Sequence, residues 1–105
     1  MGDITLPNVG THQWKVLHAI VSWKDDRVHD GVTGIMLNYF VCLRYSARVW
    51  ELIHEYNIPI NSDYYHYTDA AGEKRRIAHY WVDDKEPYLD AMQEKWYVGE
   101  MVCGK

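Results

Sequence analysis

Residues 43 to 60, L-R-Y-S-A-R-V-W-E-L-I-H-E-Y-N-I-P-I, read as one amphipathic helix that stops at an asparagine and runs directly into a strand. Tyr45, Val49, Leu52 and Tyr56 recur at i, i+4, i+7 and i+11, which places them on a single stripe. Arg44, Ala47, Glu51 and His54 then point away from the core. Asn57 tolerates the left-handed conformation that ends many helices, and Ile58 and Pro59 cannot continue one, so the helix is predicted to end near Tyr56. Arg44 and Arg48, one turn apart near its start, are what a helix presented to a nucleic-acid groove needs, while Arg48, near the flank of the core stripe, can instead pair with Glu51 or Glu55.

Outward from this stretch, Ile58 to Thr68 is rich in Ile and Tyr, Asp69 to Glu73 supplies Asp and Gly for a short loop, and K-R-R-I-A-H-Y-W-V follows. That is the signal of a β-hairpin. Ile77, His79 and Trp81 alternate with Ala78, Tyr80 and Val82, so the second arm is apolar on both faces at its end and must be well covered. Lys74, Arg75 and Arg76 sit just after the turn, where a projecting hairpin reaches a phosphate backbone. Upstream, Thr11 is placed to cap a helix from about His12 to Ser22, with Trp14, Leu17, His18 and Val21 at helical spacing. Lys24 to Gly31 reads as a polar loop turned by Gly31. Thr33 is expected to cap a short second helix running from Gly34 to about Phe40, and Val41 and Cys42 form the turn into the third.

Helix, short helix, turn, helix, hairpin is the order of a helix-turn-helix with a wing. The chain is therefore predicted to be α+β, a winged helix-turn-helix of three helices and a two-stranded β-wing with an extra C-terminal helix. Trp14, Leu17, Val21, Leu37, Val49 and Leu52 are the expected core. Residues 1–10 are expected to form a loose arm, 11–82 the winged domain and 83–105 an acidic helical tail. Acids and Pro87 open a fourth helix, about Glu86 to Tyr97, whose Leu89, Met92 and Trp96 form an apolar stripe. That stripe needs a partner surface, either the body of the same chain or a second copy in a homodimer.

The 105 residues leave room for one domain with one modest core. Five Trp and nine Tyr against a single Phe exceed what such a core buries, and these types favour interfaces. No apolar run approaches a membrane span and no basic segment precedes an apolar one, so a soluble, cytoplasmic protein is expected. Cys42 and Cys103 imply no disulfide framework, and Cys42 reads as a small buried hydrophobe. Asp25–Asp26 and Asp83–Asp84 read as solvated turn or cap residues. The six histidines lack metal-ligand spacing, so neither a metal nor another cofactor is expected. With no phosphate-binding glycine loop and no catalytic constellation, the chain is expected not to be an enzyme.

The net charge of -4 opposes simple DNA binding, which phosphate neutralisation dominates. Its distribution matters more than the sum. Residues 41 to 82 carry five acids and five bases, whereas residues 83 to 105 carry six acids and three bases. A positive face requires Arg44, Arg48 and the Lys74–Arg76 run to converge while the tail points away.

The chain resembles the small winged helix-turn-helix proteins encoded by bacteriophages and prophages. The resemblance covers roughly residues 11 to 82 and rests on Gln13, Val16 and Leu17; on Gly31, Val32 and Thr33; and on Arg44, Ser46, Ala47, Arg48, Val49, Glu51 and Leu52. Pro59 and Ile60, then Arg76, Ala78, His79 and Tyr80, complete it. It implies a winged helix that binds double-stranded DNA in gene regulation, or as a replication or excision accessory factor, inside a bacterial host cell. The contact residues implied are Arg44, Ala47, Arg48, Trp50 and His54 on the third helix and Lys74, Arg75 and Arg76 on the wing. Winged helices also dock proteins, so a phage factor that binds a host protein through Trp50, the wing tyrosines and the tail is the alternative. Trp50 falls near the solvent side of a regular helix and is expected to pack beneath the C-terminal helix, or else to belong to a partner interface.

Overall fold

The computed structural model describes the backbone of residues 4–103 and the side chains of residues 4–95. It is an α+β fold: helix α1 (His12–Ser22), strand β1 (Val32–Thr33), helices α2 (Gly34–Phe40) and α3 (Tyr45–His54), strands β2 (Asn61–Thr68) and β3 (Lys74–Trp81), and helix α4 (Glu86–Cys103). The strands form one antiparallel sheet in the order β1-β3-β2.

The start of α1 and the end of α3 have local causes. The Thr11 side chain accepts the Trp14 N–H at 3.2 Å and so satisfies one of the free donors of the first turn of α1. After α3, Asn57 takes φ 56° and the N–H of Ile58 reaches back to the Leu52 carbonyl at 3.0 Å. The chain then reverses onto the core at Ile58 and Ile60, both buried, and leaves it again as β2. The six residues expected in the core are all buried there, with Val16, Ile20, Val32, Tyr80, Val82 and Met92.

The third strand is the main departure from the two-stranded hairpin expected from sequence. Val32 pairs with Tyr80 and Thr33 with His79, two residues being too short a run to show any periodicity. The pairing requires Gly31. Its φ is +74°, and a Cβ there would run into the Tyr80 carbonyl, so only glycine permits both the turn and the close approach.

A second departure lies beside it. Asp25, read as a solvated turn residue, is completely buried. Its carboxylate accepts from the Thr33 hydroxyl (2.6 Å) and N–H (3.2 Å), and from the Arg27 N–H and guanidinium (3.0 Å each). Thr33, expected as the side-chain cap of α2, holds the N-cap position but spends its hydroxyl on Asp25. The aspartate thus closes the loop between α1 and β1.

Helix α4 docks on α1 within the same chain. Met92 is buried and Tyr88 and Leu89 pack against the core, whereas the Trp96 side chain lies outside the described residues. The Lys95 ammonium donates to the Pro7 carbonyl at 3.2 Å, Pro7 is itself buried and Leu6 touches the core, so the segment read as a loose arm is docked at these positions. A chain ending at Asp84 is expected to lose at least ~3 kcal/mol of stability, since burying one Met or Leu side chain contributes ~1.5–3 kcal/mol. Urea denaturation against the full chain checks this. No helix among the described residues is long and apolar enough to cross a membrane.

Candidate nucleic-acid interface

Helix α3 has two unlike faces. Toward the body, Val49 and Leu52 are buried and Tyr45 packs edge-on to Tyr80 with ring centroids 6.3 Å apart. On the flank, Arg48 does not project into solvent. Its guanidinium donates to Glu51 at 2.9 Å, an i,i+3 pair, and its Nε is enclosed without a hydrogen-bond partner. Glu51, expected to face outward, is half-buried and also accepts from the Gln13 amide at 2.7 Å, which ties α3 to α1.

The outer face of α3 carries Ala47, Trp50 and His54, and Leu43 lies in the turn before the helix. Leu43 is 81% and Trp50 57% exposed, so Trp50 is not packed beneath α4. Its ring lies against that of His54, with centroids 4.4 Å apart. Arg44 is exposed at the N-cap position of α3 and makes no side-chain capping bond. Tyr39 and Phe40, exposed at the end of α2, add to the apolar surface and were not anticipated.

The hairpin of β2 and β3 behaves differently at its two ends. At its base His79, Tyr80 and Val82 are buried, as a strand apolar on both faces requires. His79 lies between the Asp63 carboxylate (Nδ1, 2.9 Å) and the Asp30 carbonyl (Nε2, 2.5 Å) and stacks on Trp81. Asp30 in turn pairs with Lys85. Toward the tip no residue from Asn61 to Ala78 is buried, although Ile77 lies against Gly34 of α2 and Ala78 packs on the core. Lys74, Arg75 and Arg76 open β3 there.

Strand alternation divides the tip side chains between two faces. Tyr64, His66, Lys74 and Arg76 share one, and Tyr65, Tyr67 and Arg75 the other. The Arg76 guanidinium lies 4.2 Å from the centre of the Tyr64 ring. The Arg75 Nε donates to Asp69 at 2.5 Å, and that guanidinium, with the N–H groups of Glu73 and Ala71, holds the Asp69 carboxyl below its usual value. Lys74 and Arg76 are therefore the cations of the tip offered most directly to a ligand.

No protein family, curated sequence or solved structure matches this chain. Of the third-helix residues singled out from sequence, Arg44, Trp50 and His54 are exposed, Ala47 is half-buried between them and Arg48 is engaged within the protein. The three hairpin bases Lys74, Arg75 and Arg76 are exposed together.

Proposed function

We propose that the chain is a winged helix-turn-helix protein that binds double-stranded DNA, with α2 and α3 as the helix-turn-helix and β2–β3 as the wing. The observation that carries this reading is the run of three exposed bases on a ribbon that projects from the body directly after α3. In that arrangement α3 enters the major groove with Arg44 leading and Ala47, Trp50 and His54 on the groove side, while Lys74, Arg75 and Arg76 lie along the backbone. Arg48 acts from inside, holding Glu51 and the angle between α1 and α3. The role is that of a phage-type regulator or accessory factor working in the cytoplasm of its host, and α4 docked in its own chain supports a monomer over a tail-linked homodimer.

Fluorescence anisotropy with random duplex DNA across a salt series tests this. The affinity is expected to fall linearly with salt on logarithmic axes. The combined Lys74→Ala, Arg75→Ala and Arg76→Ala variant should bind more weakly across all sequences, with the slope reduced by roughly one to three. A titration in which salt has no effect rejects the DNA reading.

One observation favours a second reading, docking on a host protein without DNA. Trp50 on α3 and Leu43 in the turn before it are exposed and apolar where a groove-reading helix favours short polar or basic residues, and an apolar surface of this kind fits a partner's hydrophobic groove. A flat salt series combined with retained solubility and folding selects it.

A further inference from the structure

We infer that the hairpin tip is a stacking surface for unpaired bases, so that the preferred ligand is a junction between duplex and single-stranded DNA rather than a continuous duplex. This rests on the DNA-binding reading above and assigns a separate part to the tyrosines. Three observations lead to it. Tyr65 and Tyr67 share one face of β2 and Tyr64 lies on the other; none is buried, and none serves the core as Tyr45 and Tyr80 do. The Tyr65 and Tyr67 rings are stacked, 13° from parallel with centroids at 5.9 Å, so aromatic stacking already occurs at this tip. Cations face the aromatic strand in register: Tyr67 stands opposite Arg75, His66 opposite Arg76 and Thr68 opposite Lys74, and Arg76 also covers Tyr64.

An exposed π-face beside a cation, as at Tyr64 with Arg76, matches a base beside its phosphate. Duplex DNA keeps its base faces hidden in the stack, so a wing that only touched a duplex backbone would use the cations and leave the three rings idle. An unpaired strand offers both groups. The hollow lined by His66, Tyr67, Thr68, Lys74, Arg75 and Arg76 lies at the same tip, and the acids of the turn leave Lys74 and Arg76 available, because Asp69 is held by Arg75. The helices position the duplex, and the tip receives the strand that leaves it.

The test compares the full chain on a short blunt duplex, on the same duplex with a single-stranded dT overhang, and on the dT strand alone. The overhang is expected to tighten binding about tenfold or more over the blunt duplex, since stacking on an aromatic side chain is worth ~1–3 kcal/mol per base. The combined Tyr64→Ala, Tyr65→Ala and Tyr67→Ala variant should lose that preference and keep its blunt-duplex affinity. If that variant does not fold, the natural chain still decides the matter: a 2-aminopurine in the overhang should be quenched on binding, and unchanged fluorescence at saturation overturns the inference. Equal affinity for blunt and overhang duplexes also overturns it while leaving the duplex reading intact. Binding to dT alone with none to duplex keeps the stacking surface and overturns the placement of α3 in a groove. No binding to any of the three overturns both and leaves the apolar face of α3 as a protein-docking surface.

Discussion

Replacing Leu52 with alanine is expected to cost about 2–5 kcal/mol, because the substitution leaves a cavity as well as removing buried methyl groups. Leu52 is completely buried on the inner face of α3, in the cluster shared with Leu17, Ile20 and Leu37. In a domain of this size the loss is a large part of the whole stability, which is ~5–15 kcal/mol for native proteins. The midpoint of urea unfolding should fall with little change in slope. Trp50→Ala, two residues earlier on the exposed face, is the control and should change stability by less than ~0.5 kcal/mol. A Leu52→Ala protein as stable as the original would remove α3 from the core and with it the proposed placement of Arg44 and Trp50.

Asp25→Ala is expected to cost about 3 kcal/mol, for a different reason. The Thr33 hydroxyl and N–H sit in a fully buried site and would lose their acceptor, and each buried donor left unmade costs ~1–3 kcal/mol. The carboxylate also gives this loop a pH dependence. Burial pushes the Asp25 carboxyl up, but the hydrogen bonds from Thr33 and Arg27 together outweigh it, and the group ends below its usual value of 3.8. A carboxylate depressed in the folded state contributes its stability in full above the unfolded value and loses it as pH falls through the lower folded one. Stability should therefore drop below about pH 4. Asp25→Asn should show a shallower acid limb, by circular dichroism across an acid titration. An acid limb as steep as the original's would mean that other carboxylates carry it.

The two substitutions mark how far the chain could be read in advance. Leu52 was legible because a helix repeats every 3.6 residues, so burial on one face leaves a periodic trace in the sequence. Asp25 was not. Its role depends on Thr33, eight residues away, and acids in a polar loop carry no pattern that separates a buried acceptor from a solvated one. The same contrast holds within the candidate interface. The exposed bases Lys74 to Arg76 followed from their place beside a turn, whereas Arg48 depended on which neighbour took its charge. Glu51 took it, and Glu51 was itself held by Gln13 from another helix.

By itself the sequence determined the order of the helices, the start of α1 at Thr11, the reversal at Asn57 and the hairpin with its basic turn. Each depends on the conformational preference of a few adjacent residues or on a repeat within one element. Only the tertiary structure decided that Val32 and Thr33 add a third strand, that α4 covers α1, that Trp50 stays in solvent and that the tyrosines of β2 are left uncovered. Those outcomes depend on which surfaces meet across long stretches of chain, and that information resides in complementary shape and hydrogen-bonding partners rather than in any local pattern.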